Sequence, residues 1–133
     1  MKNVFADTFY YLALLNPADN RHHQALAYTN TYNGRMVTTS WVLTELADAL
    51  AHRSTRSAFL QALARLRTDA DVTILPPDSG LFEEGVKLYG TRPDKDWSLT
   101  DCISFVVMRR EGVTEALTGD HHFEQAGFVA LLK

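Results

Sequence analysis

The sequence is short of several features that assign a chain quickly to a class. It has one cysteine, Cys102, so no disulfide can form within the chain. Its formal net charge of −3 shows no excess of the basic residues that mark a nucleic-acid surface. No uncharged run approaches the roughly 18 residues that a membrane-spanning helix needs. These absences predict a soluble cytoplasmic protein without disulfides.

Several familiar catalytic and binding motifs are also missing. There is no Walker or dinucleotide glycine motif, no Gly-x-Ser-x-Gly and no His-Glu-x-x-His. Two histidine pairs, His22–His23 and His121–His122, are each adjacent in sequence, and adjacent residues on a helix point in different directions. We therefore expect surface histidines rather than a zinc site, and we interpret Cys102 as a core residue.

The pattern that is present is that of one α/β domain, residues 1–133. Hydrophobic residues make up 46% of the 133 positions, which suits a single compact core. Short apolar strands alternate with helices, and this predicts a largely parallel sheet. Asp19 and Ser40 are the expected N-caps of the second and third helices. The predicted strands are 4–6, 36–39, 72–75, 115–118 and 128–132, and the predicted helices are 8–16, 20–32, 41–53, 55–68, 78–89, 98–110 and 121–125.

Four acidic residues stand where predicted strands or loops pass into helices. Asp7 and Asp120 follow the first and fourth strands. Glu45 lies beside the apolar stripe of the third helix, and Asp101 lies in the first turn of the helix that Ser98 opens. Because sites in parallel sheets form beyond the carboxyl ends of the strands, these positions can converge.

Each acid has an ordinary structural alternative. Asp7 and Asp120 can cap the helices that follow them, and Asp101 can complete a near capping box with Ser98. Glu45 can reach solvent or an arginine from the edge of its stripe. If the four carboxylates do converge, they repel one another unless a cation balances them. Ligands that are all oxygen suit Mg²⁺ or Mn²⁺.

Four segments together resemble the PIN domain family. They are 5–8 (FADT), 44–46 (TEL), 98–105 (SLTDCISF) and 117–128 (LTGDHHFEQAGF). The resemblance runs from Val4 to the C-terminus, and in size and motif wording it is nearest to VapC-type toxins, the ribonuclease halves of toxin–antitoxin pairs. It implies a three-layer α/β/α sandwich with a central, mainly parallel sheet.

The resemblance also implies an activity and a site. The activity is a Mg²⁺- or Mn²⁺-dependent endoribonuclease that hydrolyses RNA phosphodiester bonds with a metal-activated water. Gly119 departs from the usual motif and is expected to loosen the approach to the fourth acid. The implied catalytic and metal-binding residues are Asp7, Glu45, Asp101 and Asp120, and the implied supporting residues are Thr8, Asp96, Ser98 and Thr118.

The implied partners are an RNA substrate such as tRNA or rRNA, a VapB-like antitoxin that buries a segment in a groove near the site, and a second copy of the chain. No membrane partner is expected. Two alternatives stay open: a catalytically silent PIN-like RNA-binding or scaffold module, and a stand-alone RNA-processing nuclease without an antitoxin. The basic residues considered as RNA contacts are Arg21, Arg53, Arg56, Arg92 and Lys95, and His122 is considered as a further contact to the phosphate.

Overall fold

Residues 2–133, which the computed structural model describes, form five strands and seven helices. The strands are β1 (Asn3–Ala6), β2 (Arg35–Thr39), β3 (Val72–Leu75), β4 (Glu115–Leu117) and β5 (Val129–Ala130). The helices are α1 (Thr8–Leu15), α2 (His22–Thr31), α3 (Ser40–Ala49), α4 (Arg56–Thr68), α5 (Ser79–Thr91), α6 (Leu99–Glu111) and α7 (His121–Gln125).

The strands form one parallel sheet in the order β3-β2-β1-β4-β5. The chain builds outward from β1 to β3 and then returns to place β4 against the other side of β1. In β1, Val4, Phe5 and Ala6 are fully buried, so both faces of the sheet are covered by helices. The predicted three-layer α/β/α sandwich with a parallel sheet is confirmed.

Helix α6 runs through the centre of the fold, with most of its residues buried. Gly85 of α5 packs directly on Ile103, and a Cβ at Gly85 would collide with that side chain. The helix ends at Gly112, whose φ of 67° is the left-handed conformation that glycine adopts without steric cost. Cys102 is buried in this core, as predicted.

Helix α3 differs from the prediction at both ends. Thr39, not Ser40, is its N-cap and accepts a hydrogen bond from the Val42 amide at 3.1 Å. Ser40 donates instead to the Leu75 carbonyl of β3. The helix ends at Ala49 rather than near 53. The Thr55 hydroxyl donates a 2.9 Å hydrogen bond to the Leu50 carbonyl, in place of a backbone amide of a longer helix.

Helix α2 begins later than expected. Asp19 does not cap it, because its carboxylate accepts from the Arg21 amide at 2.8 Å in a turn that precedes the helix.

Between residues 2 and 133, no helix combines the length and the apolar character that crossing a membrane requires.

Candidate functional site

The candidate site lies at the carboxyl ends of β1 and β4, the neighbouring strands at which the strand order reverses. In open α/β sheets this is where a crevice forms. Asp7 directly follows β1, and Thr118 directly follows β4. The Asp7 amide reaches the Leu117 carbonyl at 3.4 Å, so the two strand ends stay in register up to the site.

Asp7 is buried, with 5% of its surface exposed. It occupies the N-cap position of α1, but its side chain makes no capping hydrogen bond, so the interpretation as a cap is wrong. Its Oδ2 instead accepts from the Thr118 hydroxyl at 2.8 Å. Burial raises the pKa of Asp7 to about 7; the Thr118 hydrogen bond opposes this shift, and the charges of Asp101 and Glu45 add to it.

Asp101 is held by a complete capping box. Its amide donates to the Ser98 hydroxyl at 3.0 Å, and its Oδ2 accepts from the Ser98 amide at 3.2 Å. Burial raises the pKa of Asp101, and the charge of Asp120 raises it further, while the Ser98 amide and His122 act in the opposite direction. The capping role thus fixes the carboxylate in the first turn of α6.

Asp120 caps the short helix α7, because its Oδ1 accepts from the His122 amide at 2.9 Å. The His122 ring also contacts the Asp120 carboxylate: its Nδ1 lies 3.4 Å from Asp120 Oδ1 and 3.1 Å from Asp101 Oδ2. One imidazole therefore bridges two of the acids. A proton on Nδ1 fits this arrangement, since both neighbours are acceptors when ionised.

Glu45 reaches the same cleft from α3. No lysine or arginine within the described chain forms a salt bridge with it. The cleft has a volume of about 350 Å³ and no lysine or arginine in its wall. Its lining residues are Asp7, Thr8, Phe9, Leu12, Glu45, Asp96, Ser98, Asp101, Asp120 and His122. The structure thus brings all four acids to one place, and three of the four supporting residues line it too. The fourth, Thr118, does not line the cleft, but its hydroxyl donates a hydrogen bond to Asp7.

The donor chemistry of this cleft fits a hard divalent cation. Five carboxylates, those of the four acids and of Asp96, line it without a lysine or arginine, and oxygen ligands are those that Mg²⁺ and Mn²⁺ prefer. Another set competes: among the residues described, Asp120, His121 and His122 have donor atoms that all lie within 4.8 Å of one another. The four carboxylates do not form such a mutually close set. We nevertheless favour the four carboxylates over the set with His121, because the His121 side chain is 71% exposed.

The contact of His122 with two acids is the site feature that the sequence interpretation missed. We expected surface histidines and considered His122 only as a contact to the phosphate. The expectation of a surface position holds for His121, whereas the His122 side chain is only 19% exposed and contacts two acids. The available signal was its position two residues after a helix-capping Asp, which directs the ring back over the helix N-terminus.

Gly119 does not loosen the approach to Asp120. A Cβ at Gly119 would lie 2.5 Å from the Phe9 ring and 2.9 Å from the Leu132 carbonyl oxygen. The glycine is required by close packing between the end of β4, helix α1 and the C-terminal segment. It tightens this part of the site.

A model of the PIN domain matches residues 4–129. The chain belongs to the PIN domain family. The predicted resemblance is confirmed over almost its whole length.

Relatives place this PIN domain near VapC-type proteins. It is 32% identical over 127 residues to a protein named 23S rRNA-specific endonuclease VapC20 from the CDC 1551 / Oshkosh and H37Rv strains of Mycobacterium tuberculosis, with 95% of each chain aligned. A crystal structure described as Mycobacterium tuberculosis VapC20, a sarcin–ricin loop cleaving toxin, superposes with a TM-score of 0.86 at 30% identity and covers 95% of this chain and 96% of that one. The predicted similarity to VapC-type nucleases is confirmed.

A more distant structure supports the fold alone. FitAcB from Neisseria gonorrhoeae has a TM-score of 0.64 and 17% identity, covering 96% of this PIN domain and 94% of that chain.

Proposed function

We propose that the chain is a Mg²⁺- or Mn²⁺-dependent endoribonuclease and the toxin of a type II toxin–antitoxin pair, with Asp7, Glu45, Asp101 and Asp120 as its metal-binding and catalytic residues. The observation that carries the proposal is one cleft lined by these four carboxylates, by the carboxylate of Asp96 and by no lysine or arginine. Such a cleft costs free energy that a bound cation offsets.

The chain's own residues divide the work of hydrolysis. When bound, the cation would supply positive charge beside the scissile phosphate and acidify a water molecule. Asp120 or Glu45, both half-buried at the cleft, orients the attacking water or takes its proton. The water oxygen bonds to phosphorus, the bond from phosphorus to the 3′ oxygen breaks, and that oxygen takes up a proton. The ends are therefore a 5′-phosphate and a 3′-hydroxyl.

The hydrogen bonds described above would orient the acids before RNA arrives. Thr118 fixes one oxygen of Asp7, and Ser98 fixes Asp101 through two backbone contacts. His122 holds Asp101 and Asp120 on a common side of the cleft. Preorganised ligands of this kind need little rearrangement at the moment of reaction.

For the substrate, we propose a loop of 23S rRNA. The curated relatives are named as 23S rRNA-specific endonucleases, and the solved relative is described as cleaving the sarcin–ricin loop. An rRNA substrate also makes the cytoplasm the expected location. A tRNA substrate is the alternative that the same assay detects.

The test is cleavage of purified rRNA and tRNA with Mg²⁺ or Mn²⁺, with and without EDTA, followed by mapping of new ends. We expect one principal cut in 23S rRNA, no cut with EDTA, and a loss of at least 100-fold in rate for the Asp7→Asn and Asp101→Asn variants. The matched control is Asp48→Asn, an exposed acid on the same helix as Glu45. We expect that control to cut like the wild type.

The outcomes separate the alternatives. A folded wild type that binds RNA without cutting it, and that shows no Mn²⁺-dependent rise in melting temperature, is a silent RNA-binding module. Cleavage that EDTA and both amide variants leave intact overturns the metal mechanism. Cleavage that no neighbouring gene product inhibits points to a stand-alone nuclease.

The antitoxin is proposed from two observations. The solved relative is described as a toxin. The surface between α1 and α4 has a largely apolar groove of about 180 Å³, lined by Tyr11, Leu14, Leu15 and Leu66 among others. An amphipathic segment of an antitoxin fits such a groove. Co-expression with the adjacent small reading frame and co-purification test this, and light scattering of the chain alone tests the proposed homodimer.

A further inference from the structure

A large cavity lies beside the acidic cleft. We call it the α5–α6 cavity; its volume is about 1070 Å³, slightly above the roughly 300–1,000 Å³ typical of ligand pockets. Its wall includes Tyr89, Arg92, Lys95 and Trp97, from the end of α5 and the loop before α6. Asp96 and Ser98 line both this cavity and the acidic cleft, so the two spaces are neighbours.

The cavity wall differs in chemistry from the cleft. The Tyr89 side chain is an exposed aromatic, with 55% of the residue accessible to solvent. The Arg92 guanidinium sits over the Trp97 ring at 5.0 Å from its centroid and pairs with Asp94 at 3.1 Å. Lys95 has only a 3.9 Å contact to the same carboxylate. An exposed ring and two cations beside a reaction centre are the elements of a subsite for single-stranded nucleic acid.

The structure also distinguishes among the basic residues considered from the sequence, and the fifth of them, Arg53, is exposed and lines neither the α5–α6 cavity nor the acidic cleft. Arg92 and Lys95 line the α5–α6 cavity. Arg21 lines a different cavity, which shares Phe9 with the acidic cleft, and its guanidinium is tied to the Leu132 carbonyl at 3.0 Å. Arg56 lines a cavity between α3 and α4 that shares no residue with the cleft. Of these three cavities, the α5–α6 cavity is the one that combines an exposed aromatic ring with more than one cation.

We infer that the α5–α6 cavity binds an unpaired nucleotide next to the scissile phosphate, with its base stacked on Tyr89 and its backbone held by Arg92 and Lys95. The inference rests on the proposed function and adds a residue-level subsite to it. Stacking on Tyr89 is tolerant of base identity, because every base has a π-face. The cavity therefore favours substrates in which the cut lies in a loop or single strand over a continuous duplex.

Tyr89 could instead belong to a protein interface. Phe82, Val86 and Tyr89 are exposed large side chains on α5, at spacings that place them near one face of the helix. Val86 and Tyr89 line the cavity, whereas Phe82 does not. The residues that the cavity shares with the acidic cleft and the neighbouring cations favour RNA for Tyr89. Phe82 supplies the matched control, because it shares the helix and the exposure but not the cavity.

The experiment measures RNA binding apart from cleavage. Each variant is made in the Asp101→Asn background and titrated with a fluorescent sarcin–ricin hairpin RNA, a single-stranded RNA of mixed sequence and an RNA duplex. We expect Tyr89→Ala to weaken binding of the first two by about 10-fold, Tyr89→Phe to restore it, and Phe82→Ala to bind normally. With Asp101 restored, Tyr89→Ala should raise KM for cleavage and leave kcat nearly unchanged.

The two cations are tested by salt dependence. The Arg92→Gln/Lys95→Gln double variant should flatten the slope of log affinity against log salt by about 1.4, from roughly 0.7 per phosphate contact on single strands. Arg110→Gln is the control, because Arg110 also forms a surface ion pair, with Glu84 at 2.6 Å, but does not line the cavity. Its slope should equal that of the parent.

The failures are distinguishable. If the parent binds and cuts RNA while Tyr89→Ala behaves like Phe82→Ala, the subsite is wrong and the proposed function stands. If both variants instead convert a dimer to a monomer in light scattering, the helix face is a protein interface and the inference is overturned. If the parent neither binds nor cuts any RNA, the proposed function fails and the subsite fails with it.

Discussion

The Thr118 hydroxyl donates a 2.8 Å hydrogen bond to Asp7 Oδ2 and joins residues that are 111 positions apart in the chain. The oxygen of the Thr118 hydroxyl in turn accepts a hydrogen bond from the Asp120 amide at 3.1 Å. One hydroxyl behind the cleft therefore ties the acid after β1 to the segment that carries the acid after β4. This contact ties the geometry of the candidate site to the pairing of two strands.

Replacing Asp7 by Asn should stabilise the metal-free protein at high pH. Folding raises the pKa of Asp7 from 3.8 to about 7, so between these values the folded state holds a proton that the unfolded state releases. The stability of the wild type therefore falls as the pH rises through this range. At pH 8 in EDTA, we expect Asp7→Asn to exceed the wild type in free energy of unfolding by about 1–3 kcal/mol. Near pH 4 the difference should largely vanish. Urea denaturation at both values measures it.

Asp48→Asn is the control for that experiment, because this side chain is exposed on α3. Its stability difference from the wild type should be small at both pH values. If Asp7→Asn shows the same difference at pH 4 and pH 8, the buried carboxylate is not the source of the pH dependence.

Removing the Ser98 hydroxyl should lower both stability and activity. The Ser98→Ala variant loses the acceptor for the Asp101 amide and should cost about 1 kcal/mol in the free energy of unfolding. The variant keeps the Ser98 amide that donates to Asp101 Oδ2, but it loses the hydrogen bond that fixes the first turn of α6, which carries this carboxylate, so we expect a fall in cleavage rate. Asp78→Ala is the matched control, since Asp78 caps α5 through the Gly80 amide away from the cleft. Equal losses of activity in the two variants would assign the effect to stability alone.

The two histidines of α7 should behave differently in metal binding. His122→Ala removes the ring that bridges Asp101 and Asp120, and contacts that orient metal ligands are worth roughly 10–100-fold in affinity. We expect about a 10-fold loss of Mn²⁺ affinity at pH 7 in calorimetry. His121→Ala should bind Mn²⁺ like the wild type. A comparable loss in His121→Ala would instead make Asp120, His121 and His122 the metal-binding set.

The sequence predicted the features that depend on local order. The apolar strands locate the sheet, and the rule for strand ends in parallel sheets indicates where Asp7 and Asp120 meet. The Ser98–Asp101 capping box spans four residues and is visible as a motif. These features need no knowledge of which distant segments touch.

The features that were missed depend on contacts between distant segments or on a choice between equivalent neighbours. Adjacent Thr39 and Ser40 can both cap α3, and only the register of β2 decides between them. The role of His122 needs the positions of two acids on different elements. The role of Gly119 depends on where the C-terminal segment packs.

Replacing Gly119 by Ala should therefore destabilise the fold at the site. The added Cβ would lie 2.5 Å from Phe9 Cζ and 2.9 Å from the Leu132 carbonyl oxygen, closer than Cβ atoms approach in real structures. The ring can shift, but Phe9 also lines the acidic cleft, and the backbone carbonyl cannot give way as easily. Overpacking of this kind costs about 1–3 kcal/mol.

Gly90→Ala is the control: nothing lies within 4 Å of its Cβ position, and it lies within α5, where alanine is favoured by roughly 0.5–1 kcal/mol. Thermal unfolding should lower the melting temperature of Gly119→Ala and leave that of Gly90→Ala equal or higher. A Gly119→Ala protein as stable and as active as the wild type would show that this junction is loose, as the sequence alone had suggested.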